Sequence, residues 1–255
     1  MNLELFNYFF KREITDKYLG NIAGFSWVFI QPVITLSIYW IVFDKIFGAR
    51  IPEAEEIGFI VYLAIGFWPW MAFSESVIRS ITMVTDKKDL IGKIDIDFKI
   101  PVVATISASF FLNIIGYLFV LLGLVLFANK FYYINLPLLI IPIIQLYFMA
   151  ISLGLLLASL QVFIRDTLQF MTTIMTLWFF MTPIIYSESI LPDGYKTIIQ
   201  LNPVYTPITF IHNALITNSP LPWYQMSVLS LSILIFLFFS IKVFNKLSPS
   251  FDEFI

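Results

Sequence analysis

The sequence alternates between long uncharged apolar stretches and short polar connections. No charged residue occurs from Tyr18 to Phe43, from Ile100 to Asn129 or from Phe131 to Ile164. A helix that crosses a bilayer needs roughly 20 consecutive apolar residues, with any charge near its ends. The pattern therefore predicts an all-α membrane protein, with a single domain over residues 1–255. Six transmembrane helices are expected, near residues 28–47, 57–79, 102–128, 136–164, 168–187 and 224–244.

The connection between the fifth and sixth predicted helices is too apolar for a loop in water and too interrupted for one helix. Pro192, Pro203 and Pro207 break helical hydrogen bonding, yet the surrounding residues include Ile198 and Phe210. Non-spanning backbone at membrane depth has to be buried in protein or line a cavity. Short helices that re-enter the outer half of the membrane over residues 188–222 satisfy both conditions. The alternative is an ordinary outer cap without motion.

The residues before the first span have a helical apolar pattern of their own. Leu3, Phe6, Phe10 and Ile14 recur at helical spacing, with polar residues between them. This periodicity predicts an amphipathic helix within residues 1–24 that lies in the cytoplasmic interface of the membrane. The alternative is a lead-in turn of the first transmembrane helix.

Composition and charge agree with a membrane protein and suggest its orientation. Hydrophobic residues make up 59% of the chain and charged residues 13%, against about 25% charged in soluble domains. The net charge of −2 provides no basic field, so no nucleic acid partner is expected. With the N-terminus inside, eleven of the 15 Lys and Arg residues fall on the inner face. This bias predicts that both termini are cytoplasmic.

Groups that support enzymatic or ion-coupled chemistry are scarce in the sequence. There is no Cys, the only His is His212, and Gly92-Lys93 does not belong to a phosphate-binding loop. No charged residue lies near the centre of a predicted span, where proton and cation relays need one. Glu75 and Arg79 are interpreted as an ordinary ion pair between helical residues four apart. The chain is therefore expected to hold no metal or cofactor and to act as a conduit or scaffold driven by a partner.

Five short motifs follow one another in order along the chain. They are Lys11-Arg12 to Gly20 with Trp27 and Gln31-Pro32, Leu90-Ile91 with Phe98-Lys99-Ile100-Pro101, Arg165-Asp166, Thr182-Pro183-Ile184-Ile185-Tyr186, and Leu201-Asn202-Pro203-Val204. With these motifs the chain resembles, over nearly its whole length, the membrane subunit of bacterial type-two ABC exporters. The similar branch exports polysaccharides and polyol phosphates. One departure is Asp86-Lys87-Lys88-Asp89, where that family often has Asn.

The resemblance implies an assembly and a substrate. Two copies of the chain would combine with two ATP-binding cassette subunits, which would hold the ATP and magnesium. The substrate would be a lipid-linked polysaccharide, most like O-antigen, that crosses the bacterial inner membrane from the cytoplasm. Alternatives are export of teichoic acid or of a small drug-like molecule by the same architecture. A membrane-embedded enzyme or a scaffold of glycan synthesis is the alternative from another class.

The resemblance also implies roles for parts of the chain. The cytoplasmic loop 80–100 would couple to the ATPase, whereas without the resemblance it reads as a solvated loop. Its interface residues would be Asp86, Lys87, Lys88, Asp89, Leu90, Ile91 and Lys93. Arg165 and Asp166 would form an inner loop, and the segment 188–222 would form an outer gate. The gate residues would be Pro183, Tyr186, Asn202 and Pro203.

Aromatic residues make up 18% of the chain, and a belt at the membrane interface accounts for only some of them. Such a belt explains Trp27 and Trp223 at span ends. Aromatic faces can also stack on sugar rings while an indole N–H donates to a hydroxyl. The interior aromatic residues are therefore interpreted either as a conduit wall or as simple packing. They are Tyr39, Trp40, Phe43, Trp68, Trp70 and Trp178.

The charge bias predicts that residues 88 and 193 lie on opposite sides of the membrane. Because the chain has no Cys, Lys88→Cys and Asp193→Cys can be introduced singly into a clean background. In intact cells, an impermeant maleimide should label the variant at position 193 and leave the variant at position 88 unlabelled until the cells are opened. Labelling of both variants from outside would contradict the predicted topology.

Overall fold

The structure, a computed structural model, describes residues 3–18, 24–48, 51–52, 55, 57–86, 97–127 and 132–254. Within these ranges the regular elements are all helical, and no strand occurs. The principal helices are α1 (Leu3–Tyr18), α2 (Trp27–Tyr39), α3 (Phe59–Ile81), α4 (Lys99–Phe127), α5 (Ile140–Phe163), α6 (Thr167–Phe180), α7 (Asp193–Gln200), α8 (Tyr205–His212) and α9 (Trp223–Leu247). Short turns of helix follow α3 at Met83–Asp86 and end the chain at Phe251–Phe254.

Four helical stretches in the described part of the chain are long and apolar enough to cross a membrane. They cover Phe59–Ile81, Lys99–Leu126, Tyr133–Phe163 and Trp223–Ser250. The spans predicted near 57–79, 102–128, 136–164 and 224–244 coincide with them. The third of these begins as a 3-10 helix at Tyr133–Leu139 before it becomes α5.

The other two predicted spans are less regular, and a total of six stays a prediction. The span near 28–47 consists of α2 followed by a π-helical turn at Trp40–Ile46. The span predicted over 168–187 was wrong at its C-terminal end, because α6 ends at Phe180. Thr182 precedes Pro183, and the residue before a proline disfavours the α conformation. With 14 residues, α6 is about 21 Å long, against roughly 30 Å of hydrocarbon.

Helix α3 forms the centre of the structure. It packs against α4 and α5, while α9 packs on the outside of α5 and α1 on the outside of α4. In membrane proteins, small residues let helices approach closely, and Gly154 of α5 does so here. A Cβ atom at Gly154 would lie 2.5 Å from Ser80 Oγ and 2.6 Å from Ile106 Cδ1. The α3–α4–α5 crossing therefore has no room for a side chain at this position.

The N-terminal helix packs on the protein through a face that only partly matches the predicted stripe. Phe6 and Phe10 stack on one another, and the Phe10 ring lies 5.8 Å from that of Phe111 on α4. Leu3 is exposed, whereas Phe9 and Glu13 are buried. Glu13 can be buried because its carboxylate pairs with the Arg79 guanidinium of α3 at 3.3 Å. Helix α1 is thus tied to the C-terminal end of α3.

Substitution of Gly154 should separate packing from helix propensity. Gly154→Ala should lower the free energy of unfolding by about 1–3 kcal/mol, because the added methyl group overpacks a buried crossing. Gly123→Ala on α4 is the matched control, since a Cβ atom there meets nothing within 4 Å. The control should be neutral or stabilising by up to about 1 kcal/mol. Unfolding of both variants in detergent micelles measures the difference, and equal stability would contradict the close crossing.

Candidate functional site

One face of α6 carries polar side chains that the structure leaves exposed. Gln169, Thr172, Thr173 and Thr176 share this face, which we call the polar strip. Their spacing of three, one and three residues places them along one side of a helix. The Thr172 hydroxyl donates to Leu168 O at 2.8 Å, and the hydroxyls of Thr173 and Thr176 donate to backbone carbonyls at 3.2 Å. Each hydroxyl therefore presents its acceptor lone pairs outward.

The exposed sides of α4 and α9 have a different composition. On α4 the large exposed side chains are Phe111, Leu118, Phe119, Leu122, Val125 and Leu126. On the central part of α9 they are Leu231, Leu234, Ile235, Phe238 and Phe239. These surfaces suit contact with lipid tails, whereas the polar strip does not. The sequence reasoning missed the strip because it searched the spans for charge and aromatic residues rather than for periodic hydroxyl and amide groups.

Aromatic side chains join α2, α3 and α6 beside this strip. Tyr39 stacks on Phe179 with centroids 5.5 Å apart. Trp70 lies 5.9 Å from Phe179 and 6.3 Å from Trp178. Phe43 extends the group, 6.2 Å from Tyr39. The structure thus brings four of the six predicted conduit aromatics together, namely Tyr39, Phe43, Trp70 and Trp178.

The two mid-helix tryptophans of α3 lie inside the protein. Trp68 is 2% exposed and Trp70 is 4% exposed, so both support core packing in this arrangement. Trp68 packs against Gly116 of α4, where a Cβ atom would lie 2.7 Å from the indole nitrogen. Its N–H has no acceptor among the described residues. Trp40, the remaining member of the predicted set, is half-buried, and the Lys45 ammonium lies 5.1 Å from its ring centroid.

Asn202 connects the C-terminal end of α6 with the turn between α7 and α8. Its side-chain oxygen accepts from Trp178 Nε1 at 2.5 Å and from Val204 N at 2.9 Å. Its side-chain nitrogen donates to Thr182 Oγ1 at 2.8 Å. The sequence placed Asn202 and Trp178 in two separate sets, an outer gate and a conduit wall. The structure joins them directly.

Tyr62 of α3 holds the chain that leaves α6. Its hydroxyl donates to Pro183 O at 3.4 Å and to Tyr186 O at 3.2 Å. The ring of His212 stacks on Tyr62 with centroids 3.9 Å apart, and its Nε2 lies 3.1 Å from Tyr62 O. Gly66 makes this position possible, since a Cβ atom there would lie 3.0 Å from His212 Nε2. His212 is therefore buried in packing contact with α3.

A cavity of about 320 Å³ with a mixed polar and apolar lining lies between α3, α8 and the chain after α6. Its lining includes Ser187, Glu188, Lys196, Thr209 and Asn213. Glu188 accepts hydrogen bonds from Gln200 Nε2 at 2.7 Å and from the hydroxyl of Tyr205. Burial, followed by this contact with Glu188, raises the pKa of Tyr205 to about 12. Tyr205 thus stays protonated and keeps α8 attached to the chain at Glu188.

The predicted cytoplasmic residues are only partly covered by the structure. Arg165 and Asp166 are exposed in the turn between α5 and α6. Gln161 fixes this turn, because it donates to Arg165 O and accepts from Leu168 N, both at 3.0 Å. Asp86 is exposed at the end of its short helix. The other predicted coupling residues, Lys87, Lys88, Asp89, Leu90, Ile91 and Lys93, lie outside the described residues.

These features define a polytopic helical membrane protein with a polar face on one helix and a segmented connection after it. The chain belongs to the ABC-2 type transporter family, whose model matches residues 4–216. The resemblance inferred from the sequence motifs is thereby confirmed. The family assigns the chain to transport rather than to enzymatic catalysis, and it implies partnership with ATP-binding cassette subunits.

Two relatives give the range of similarity. The chain is 29% identical over 205 residues to the O-antigen export system permease protein RfbA of Myxococcus xanthus. The aligned region covers 78% of this chain and 75% of the relative. It is 24% identical over 248 residues to the O-antigen export system permease protein RfbA of Klebsiella pneumoniae. Here the aligned region covers 95% of this chain and 91% of the relative.

The buried position of Trp68 predicts a stability effect. Trp68→Ala should lower the free energy of unfolding by about 3–5 kcal/mol, because it leaves a large cavity. Trp68→Phe should cost less, because the indole N–H has no acceptor to lose among the described residues. Trp27→Ala is the matched control, since Trp27 is 44% exposed. Thermal unfolding in detergent separates the three variants, and equal effects of the two Ala substitutions would argue against the packing role.

Proposed function

We propose that this chain is the channel-forming permease subunit of an ATP-driven exporter. Its substrate is a lipid-linked polysaccharide similar to O-antigen, which passes from the cytoplasm across the bacterial inner membrane. Family membership supports the transport role, and the names of the two relatives as O-antigen export permeases support the substrate class. The chain itself contributes the conduit, and the ATP-binding cassette partners contribute ATP and magnesium.

The polar strip of α6 is the observation that carries this proposal. Polar side chains in a membrane face a protein partner or a water-filled path far more often than lipid. Three hydroxyls and one amide along one side of α6 provide hydrogen-bond acceptors and donors for sugar hydroxyls without any charge that would hold them tightly. Phe180 is exposed on the same side of the helix and offers a ring face for stacking.

The conduit requires more than one copy of the chain. A single bundle packed around α3 leaves its polar strip on the outside, so a second copy has to complete the enclosure. A closed two-fold arrangement is the common solution for two identical chains. The two strips then face one path, with Tyr39 of α2 and Phe43 of the following π-helical turn beside it, while the apolar sides of α4 and α9 face lipid.

Energy enters this assembly from the cytoplasmic side, where both termini lie. In the proposal, loop 80–100 docks on the ATPase, and α1 receives the same movement in the membrane interface. The Glu13–Arg79 ion pair supports this arrangement, because it fastens α1 to α3 close to where loop 80–100 begins. At the opposite end, the segment 188–222 serves as the outer gate, with Asn202 and Pro203 at its central turn and Pro183 and Tyr186 in the chain that leads into it.

Removal of the hydroxyls from the polar strip should impair export without impairing folding. The triple variant Thr172→Val, Thr173→Val and Thr176→Val keeps the helix and nearly the same volume. Export by proteoliposomes that contain the chain and its co-purifying ATPase should fall about tenfold or more, because each hydroxyl contact contributes roughly 1 kcal/mol. Ser232→Ala is the control, since Ser232 is an exposed hydroxyl on the lipid-facing helix α9.

Two results would contradict the proposal. If the strip faces lipid, the triple variant should export as well as the wild type, because Val is well suited to lipid contact. If no ATPase of the cassette type co-purifies with the chain, the energy source in the proposal is wrong. Export that falls only in the strip variant, with unchanged thermal unfolding, supports a conduit lined by α6.

A further inference from the structure

A closed ring of hydrogen bonds joins α6 to the chain between α6 and α9, residues 181–222, which we call the outer segment. Trp178 Nε1 donates to Asn202 Oδ1, Asn202 Nδ2 donates to Thr182 Oγ1, and the Thr182 hydroxyl donates to Trp178 O at 2.8 Å. Asn202 is only 7% exposed. Each of the three residues therefore both donates and accepts a hydrogen bond within the ring, and none of these groups needs a water molecule as its partner.

The chemistry of the ring requires an amide at position 202. Two N–H groups, from Trp178 and Val204, point at its oxygen, while its nitrogen faces the acceptors Thr182 Oγ1 and Met181 O. This network fixes the orientation of the amide. A carboxylate would present an acceptor to Thr182 instead of a donor, and a serine hydroxyl is too short to reach both sides. Loss of one partner leaves another buried polar group unsatisfied.

A local turn explains only one of these contacts. The bond from Val204 N, two residues later, is the usual contact of an Asn that begins a turn. The bonds to Thr182 and Trp178 reach back 20 and 24 residues in the sequence. They cross from the turn between α7 and α8 to the last turn of α6 and the residues that follow it. Asn202 thus attaches the returning chain to the helix that carries the polar strip.

A second attachment runs to a different helix. Tyr62 belongs to α3, the central helix of the fold. Its hydroxyl binds the backbone carbonyls of Pro183 and Tyr186. The start of the outer segment is therefore anchored on α3, and the turn between α7 and α8 is anchored on α6. Any relative displacement of α3 and α6 has to change the shape of the segment between these two anchors.

We propose that Asn202 is a positioning residue that makes the outer segment follow the outer end of α6. This inference rests on the proposed function, because it gives the outer segment the task of closing the conduit. With the ring intact, the α7–α8 turn stays over the end of α6 and seals the path in the absence of transport. Movement of α6 carries the turn with it, so opening is linked to the helix that contacts the substrate.

The test uses variants that each remove one hydrogen-bonding group of the ring: one bond is lost without the Trp178 N–H and two without the Thr182 hydroxyl. Trp178→Phe keeps a ring and removes the N–H, and Thr182→Val removes the hydroxyl. Trp68→Phe is the matched control, because it removes an indole N–H that has no acceptor among the described residues. Thr182→Ser retains the hydroxyl and should behave as the wild type.

The readout is a leak that a purely structural role would not change. Proteoliposomes with the complete exporter are loaded with carboxyfluorescein, and its release is measured without ATP. Trp178→Phe should raise the leak about fivefold, the change expected for one lost hydrogen bond, and Thr182→Val, which loses two, should raise it at least as much, while ATP hydrolysis stays near the wild-type value. Trp68→Phe and Thr182→Ser should not raise it.

The outcomes separate this inference from the proposed function. Wild-type leak in Trp178→Phe and Thr182→Val, together with wild-type export, would overturn the role of Asn202 and leave the exporter proposal standing. Absence of ATP-driven polysaccharide export by the wild-type protein would instead overturn the proposed function. If the ring acts as one unit, the double variant should leak no more than the stronger single variant, whereas independent effects would multiply.

Discussion

The structure depends on one constraint, the need of polar groups on membrane helices to find hydrogen-bond partners within the protein. Hydroxyls meet it locally, since Ser37, Ser107, Ser152, Thr172 and Ser240 each donate to the carbonyl four residues earlier. Amide side chains meet it by hydrogen bonds to other helices. Asn113 joins α4 to Glu75 of α3, and Gln145 joins α5 to Met226 and Ser230 of α9. Asn202 follows the same rule at the C-terminal end of α6, so the polar contacts that fix helix positions are also those that organise the candidate site.

Four spans could be predicted because uncharged length alone determines them, whereas the end of α6 could not be placed by length. The apolar run continues past Phe180, but Pro183 and the bonds that Tyr62 and Asn202 make with the following residues end the helix earlier. The buried face of α1 was predicted from the spacing of its apolar residues, and this spacing did not predict the burial of Phe9 and Glu13. A buried carboxylate becomes understandable only once its partner Arg79 is known.

The candidate site was predicted in its parts and not in its connections. Asn202 was chosen as a turn residue and Trp178 as a wall residue, and each choice used only neighbouring sequence. Their bond joins residues 24 positions apart, which no local pattern reports. The polar strip is the opposite case, because Gln169, Thr172, Thr173 and Thr176 form a helical period that can be read from the sequence. A search for periodic polar residues within apolar spans finds it.

The tight contact at Gly154 limits how the bundle can move. Sliding α5 along α3 by about one turn would bring Ala150 or Ala158, which lie on the same face of the helix, to the crossing, where even a methyl group meets Ser80 and Ile106. Translation along the helix axis is therefore blocked, while rotation about the crossing keeps the glycine in place. Gly154 thus acts as a pivot, and a small angle at this point becomes a larger displacement at the helix ends, where the polar connections lie.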